Sequence, residues 1–139
     1  MSESLTEQNR AIAEAMYAAV LAGDVDALAA YFADDIVVSE PPFLPFGTVC
    51  HGKEAFMRLF PVINQYLDVT QVKVHHVVAD GDRVIGCIGI PDRATGNLTH
   101  MLEQFTLCDG KVTAIQLFYY DAGTMTELPK AELDTVVSG

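Results

Sequence analysis

Positive charge is what this sequence has least of: 8 Lys and Arg stand against 19 Asp and Glu, a formal net charge of −11. A surface with that balance repels phosphate backbones and anionic headgroups, so neither nucleic acid nor a membrane is expected as a partner. No apolar run approaches the roughly 20 residues that span a bilayer. The opening MSESLTEQNR lacks the basic-then-apolar pattern of a signal peptide, and a soluble cytoplasmic protein is the expectation. Cysteine is sparse as well. Cys50, Cys87 and Cys108 are odd in number, widely spaced and set among apolar neighbours, which suits buried, inert thiols better than a disulfide framework. Spacing suited to a metal is missing, because His75 and His76 are adjacent on an expected strand and so point to opposite faces; no metal and no other cofactor is expected. Internal repeats and low-complexity segments are absent, and 139 residues leave no room for a second domain.

Half of the residues are hydrophobic, ample material for one core, and their spacing orders the chain. From Leu5 to Leu21, residues Ile12, Met16, Ala19 and Val20 recur at helical spacing, with Gly23 as terminator and Asp24 as the next N-cap. A second, short helix is expected from Val25 to Phe32, and a strand from Ile36 to Glu40, stopped by Pro41 and Pro42. After the Pro-rich loop that ends at Gly47, the segment Gly52 to Leu67 reads as a third helix, because Phe56, Leu59, Phe60, Ile63 and Leu67 fall on one face; Pro61 is expected to kink or divide it. The turn signals Asp80-Gly81-Asp82, Thr95-Gly96-Asn97 and Asp109-Gly110 then separate four strands, near residues 69–79, 83–91, 98–108 and 111–121. Helices first and an antiparallel meander afterwards make an α+β protein.

Both faces of that meander are apolar. Val84, Ile88 and Ile90 alternate with Ile85 and Cys87, and Val112, Phe118 and Tyr120 alternate with Ile115, Leu117 and Tyr119. Three helices cover one face only, so a homodimer through the sheet is expected to cover the other.

Four stretches, taken in order, resemble one family. Tyr17 to Leu28, then Tyr31-Phe32-Ala33-Asp34-Asp35 and Glu40-Pro41, resemble the opening of ketosteroid isomerase and SnoaL-like polyketide cyclase sequences. Gly47 to Phe56, with His51-Gly52-Lys53-Glu54, is similar to their entry into the third helix, and Asp109-Gly110-Lys111-Val112 to their last hairpin. Phe118-Tyr119-Tyr120-Asp121 is similar to the ending of SnoaL-like and limonene epoxide hydrolase-like members. The resemblance covers nearly the whole chain and implies a single domain over residues 1–139 with the cone shape of nuclear transport factor two-like proteins: three N-terminal helices on a strongly curved, mostly antiparallel sheet around an apolar pocket. That superfamily hosts isomerases, cyclases, dehydratases, epoxide hydrolases and noncatalytic modules, so activity has to be argued from the site.

Glu40 ends a strand whose alternate residues Ile36 and Val38 face inward; the resemblance implies a general base there, its basicity raised by apolar surroundings. Glu103 is a lone acid in the row Met101, Phe105 and Leu107, and the resemblance implies a neutral carboxylic acid that donates to an enolate oxygen. Asp121 follows Ile115, Leu117 and Tyr119, at the position implied to orient or protonate a substrate; the alternative is a cap for the segment starting at Ala122-Gly123. The first-helix phenol of ketosteroid isomerase falls at Met16, and Tyr17 is turned about 100° away around the helix. The Arg-x-Asp arrangement of limonene epoxide hydrolases is missing. His51, beside Gly52 at a helix start, is read as a neutral hydrogen-bonding imidazole or part of the loop-to-helix junction, and His100 as a residue of the dimer face. Met16, Tyr17, Phe43, Phe46, Phe56, Phe60, Phe105 and Tyr119 are expected to line the pocket. The combined expectation is a cofactor-free enzyme that moves a proton next to a carbonyl on a small apolar molecule, cyclic ones included. A noncatalytic small-molecule binding or dimerisation domain, or an epoxide hydrolase-like enzyme, is the alternative.

Overall fold

The structure, a computed structural model, describes residues 4–138, so Met1 to Glu3 of the polar amino terminus and Gly139 lie outside the described residues. Helix α1 (Leu5–Leu21) starts where the Ser4 side chain accepts from the Glu7 amide at 3.2 Å, and Gly23, at φ 68°, turns the chain out of it. Asp24 caps α2 (Val25–Ala29) in the same way, through the Ala27 amide at 3.1 Å. This helix is shorter than expected. The Tyr31 carbonyl accepts from the Val112 amide at 2.8 Å, which draws the chain into the sheet, and Phe32 opens strand β1 (Phe32–Ser39) instead of closing the helix.

Three elements follow around the Pro-rich loop. Strand β2 (Val49–His51) pairs antiparallel with β1 and leads into α3 (Lys53–Asn64). Pro61 does not divide α3, which ends at Asn64, short of Leu67. The Asn64 side chain accepts from the Val69 amide at 3.2 Å, and Leu67 bridges to Asp92, so residues after Asn64 are held by tertiary partners. Val69–Gln71 is a turn of 3-10 helix and not the start of a strand.

The meander is β3 (Lys73–Asp80), β4 (Arg83–Pro91), β5 (Leu98–Cys108) and β6 (Lys111–Tyr119). Asp109 and Gly110 both take positive φ, 51° and 78°, as a tight hairpin turn demands. The six-stranded sheet runs β2-β1-β6-β5-β4-β3, antiparallel throughout except where β1 lies parallel to β6. It is curved and unclosed, and α1 and α3 cover its inner face, where Met16, Tyr17, Phe56, Leu59, Ile36, Val38, Ile88, Phe105 and Ile115 form the core. A 3-10 turn (Gly123–Glu127) and a short fourth helix, α4 (Asp134–Ser138), complete the chain.

Two irregularities change which side chains share a face. Between Thr106 and Leu107 the β5–β6 register shifts, so Val112 turns into the core at 0% exposure and does not join Phe118 and Tyr120 outside. Between Val74 and His76 the β3–β4 register shifts as well, so His75 is an extra residue and both His75 and His76 reach the same outer groove. The expectation that they point apart fails because a bulge breaks the period of two. On that outer face Val78, Leu102, Phe118 and Tyr120 are exposed. All three cysteines are free thiols, but Cys108 is exposed at the hairpin end and only Cys50 is fully buried. No helix among the described residues is long and apolar enough to cross a membrane.

The Pro-rich loop is fastened from inside and outside. Leu44 and Phe46 are fully buried, Lys130 Nζ donates to the Leu44 carbonyl at 2.7 Å and to that of Pro42, and the Ala131 amide donates to the Pro45 carbonyl at 2.9 Å. The loop folds so closely on itself that a Cβ at Gly47 would lie 2.2 Å from the Pro41 carbonyl oxygen. Gly47→Ala is therefore expected to destabilise the protein by about 1–3 kcal/mol, read as a lower urea midpoint with unchanged m-value.

Candidate active site

Glu40 continues the inward parity of Ile36 and Val38, and its amide donates to the Thr48 carbonyl at 2.9 Å, which fixes the chain before Pro41. Its side chain is buried at 7% exposure and does not turn to solvent. Strand register brings it to the second acid. Ser39 pairs with Gln116 and Glu103 pairs with Leu117, so Glu40, one step beyond Ser39, and Glu103 flank Leu117 across β1, β6 and β5. Two strand spacings separate their backbones, about 10 Å, and long side chains close much of that distance.

Each acid has a phenol. Tyr17 Oη donates to Glu103 Oε1 at 3.0 Å, and Tyr119 Oη donates to Glu40 Oε1 at 3.4 Å, a long bond. The first of these corrects the expectation that Tyr17 turns away from the acids. Met16 and Tyr17 are both buried, and the tyrosine is long enough to reach across the sheet because Gly86, the residue paired with Glu103 on β4, has no side chain. A Cβ there would lie 1.9 Å from the Tyr17 hydroxyl oxygen. Gly86 carries none of the chemistry, yet the site depends on it; its sequence signal is a glycine inside a strand of alternating apolar residues, which marks a close approach.

Burial is the largest influence on all four groups. It pushes Glu40 well above the usual carboxylate range, the charge of Glu103 adds to this, and the Tyr119 hydrogen bond opposes it. Glu103 is raised to about 7, by burial first, against the Tyr17 bond that favours its ionised form. Glu103 is only partly shielded from solvent, but core side chains surround it and strip most of its hydration, which disfavours its charged form. Both phenols are pushed above their usual value by burial and by the neighbouring carboxylates, and they remain donors. Glu40, raised by burial and by the charge of Glu103, does not ionise alongside it near neutrality, so the pair retains a proton.

Phe105 packs edge-on against Tyr17 at 6.0 Å, and Phe43, half exposed, stands edge-on to Tyr119 at 6.5 Å. A groove of about 390 Å3 runs past Glu40, Pro41, Phe43, Val49, Leu117 and Tyr119; Glu103 is not in its lining. Phe56 joins Phe32 and Phe60 in a separate aromatic cluster, Phe60 lines a cavity that neither acid reaches, and Phe46 packs on Tyr66. Asp121 is exposed and accepts from the Gly123 amide at 2.8 Å, so it caps the following turn and is not brought to the acids. His51 is exposed in a cleft at the start of α3 with Asp34, Lys53 and Arg58. Among the described residues, no group of three or more His, Cys, Asp or Glu is placed to hold a metal ion.

Residues 13–115 match the sequence profile of the SnoaL-like domain. Bal32a, from a soil-derived mobile gene cassette, is 22% identical over 85% of this chain and 93% of its own, with a TM-score of 0.76. A protein of Kribbella flavida, which carries the name ketosteroid isomerase as a provisional assignment, is 21% identical over 93% of this chain and 95% of its own, at 0.68. One of Sinorhizobium meliloti, provisionally named a polyketide cyclase, is 21% identical over 76% of this chain and 92% of its own, at 0.65. At such identities the likeness shows the cone fold and nothing finer. No curated protein matches the sequence.

Gly86→Ala is expected to drive the Tyr17 hydroxyl off Glu103; loss of that donor raises the Glu103 pKa above its value of about 7, observable by carbon NMR titration of labelled glutamate. A second expectation concerns stability. A carboxyl raised from 4.5 to about 7 in the folded state binds its proton more tightly there than when unfolded. Its contribution is therefore fully favourable below pH ~4.5 and is lost as pH rises towards 7, by about 1–3 kcal/mol. Urea unfolding across that window should show this fall in wild type and a shallower one in Glu103→Gln.

Proposed function

This chain belongs to the SnoaL-like domain family, and within it we propose an enzyme that moves a proton at the carbon next to a carbonyl in a small, mostly apolar molecule. One observation carries the reading: two buried carboxyls, each bonded to a phenol, close enough for the charge of one to raise the pKa of the other. Proton transfer of this kind needs one carboxylate to accept and one neutral acid to donate, and a pair that holds a single proton supplies both.

The two hydrogen bonds favour a division of labour opposite to the one implied by the resemblance. Tyr17, at 3.0 Å, stabilises the charged form of Glu103 more than Tyr119, at 3.4 Å, stabilises that of Glu40. Glu103 is then the base for a substrate that enters along the groove beside Glu40 and reaches past Leu117 to the inner face: the C–H bond breaks, its proton passes to the Glu103 carboxylate, and the electron pair moves towards the carbonyl oxygen. Neutral Glu40, with Tyr119 beside it on the groove, donates to that oxygen. Return of the proton to another carbon gives the isomer. Phe43 and Leu117 supply the apolar walls of the groove.

A panel of small cyclic enones in D2O, followed by NMR for deuterium uptake next to the carbonyl, tests this without a known substrate. Wild type should accelerate exchange in at least one of them. Glu103→Gln should lose roughly 100-fold or more, and Glu40→Gln less, since an amide N–H still donates. Equal rates in wild type and both variants, or no acceleration with any compound, would leave a noncatalytic binding module as the better reading.

The exposed row Val78, Leu102, Phe118 and Tyr120 supports a second copy as the cover for the outer sheet face. Sedimentation should give a dimer at micromolar concentration and a monomer for Phe118→Asp; a wild-type monomer removes the idea.

A further inference from the structure

The outer face of the sheet gathers three of the four histidines. His75, His76 and His100 share a groove of about 600 Å3 with Cys87, on the side of the sheet away from Glu40 and Glu103. Two of these rings meet. The His75 and His100 centroids are 5.6 Å apart with planes inclined by 34°, although β3 and β5 are not neighbours and β4 lies between them. Gly89 permits this contact. It pairs directly with His100, and the point where its Cβ would stand is 3.3 Å from His100 Nδ1 and 3.4 Å from His75 Nε2. The atoms that converge over the glycine are thus ring nitrogens, one from each strand.

We propose that His75 and His100 chelate one divalent first-row transition-metal ion above Gly89. Neutral imidazole is the preferred ligand of Ni2+ and Zn2+ among the side chains present, and either ring nitrogen serves. Metal–nitrogen bonds of about 2.1 Å require the two nitrogens to close on a common point, so both exposed rings must turn from their stacked arrangement to bring their in-plane lone pairs together. Among the described residues no three ligating groups meet at one place, so the protein supplies two ligands and water would complete the coordination. A net charge of −11 raises the local concentration of cations. Lys73, paired with Gly89 from β3, is exposed, and its flexible amine can swing clear. The bulge at His75 puts both His75 and His76 on the outer side, where a regular strand would give that face only one of the two.

Calorimetric titration of the tag-free protein with NiCl2 tests the site, in a non-chelating buffer above pH ~7, where an ordinary imidazole is unprotonated. Because the second copy proposed for the outer face would cover these rings, each titration is run at two protein concentrations, one of them below the range in which sedimentation shows a dimer, and the ion should bind more tightly at the lower one. Wild type should take up one ion per chain. His75→Ala and His100→Ala should each weaken binding by roughly tenfold or more. Gly89→Ala, which keeps both rings but fills the point where they converge, should do the same, and His51→Ala should leave binding unchanged. Unchanged binding in the His75→Ala/His100→Ala double variant, or no binding by wild type at the lower, monomeric concentration, overturns the proposal; neither result bears on the acid pair of the inner face.

Discussion

Two carboxyl groups stand in an interior otherwise made of apolar side chains and aromatic rings, and water cannot solvate both as it would at the surface. A bare buried charge costs several kcal/mol, so such groups must find donors, keep a proton, or both. Here they do both. Tyr17 and Tyr119 provide one hydrogen bond each, and desolvation, together with the charge of Glu103 acting on Glu40, holds a proton on the pair. An apolar pair of similar volume would avoid that cost. Retention of isolated acids in such a place is the local inconsistency expected of a working site.

Much of the fold can be understood as what that arrangement requires. Glu40 comes from the first half of the chain and Glu103 from the second, and they meet only because β1 lies parallel to β6, with Leu117 between them. Everything from β2 to β5 is threaded between those two strands in sequence. The loop that follows Glu40 has buried hydrophobic side chains and is tied down by Lys130 and Ala131, so the carboxy-terminal segment holds the wall of the groove.

Strand β4 serves both faces through what it lacks. Gly86 faces inward and leaves space for the Tyr17 hydroxyl; Gly89 faces outward and leaves space for two imidazoles. Residues three apart on a strand point to opposite sides, so these two glycines open the sheet once on each face. Elsewhere β4 is filled by Val84, Ile88 and Ile90, which keep it anchored in the core.

The sequence by itself determined what local physics encodes. Helical periodicity and the Asp24 cap placed α1 and the start of α2, turn chemistry placed all three hairpins of the meander, and lone acids in apolar rows singled out Glu40 and Glu103. It could not assign the faces beyond a break in the period. Bulges near His75 and Leu107 each shift the alternation by one residue, which sent Val112 inward and brought His75 and His76 to one side. Nor could it choose between Met16 and Tyr17: the angle around a helix was readable, but the reach of a phenol over Gly86 depends on a strand 69 residues further along the chain. Asp121 and the end of α2 were likewise decided by partners that only folding supplies, the Gly123 amide for one and Val112 for the other. Periodicity reports which way a side chain points along its own element; which groups meet is set by register and by the space that neighbouring elements leave.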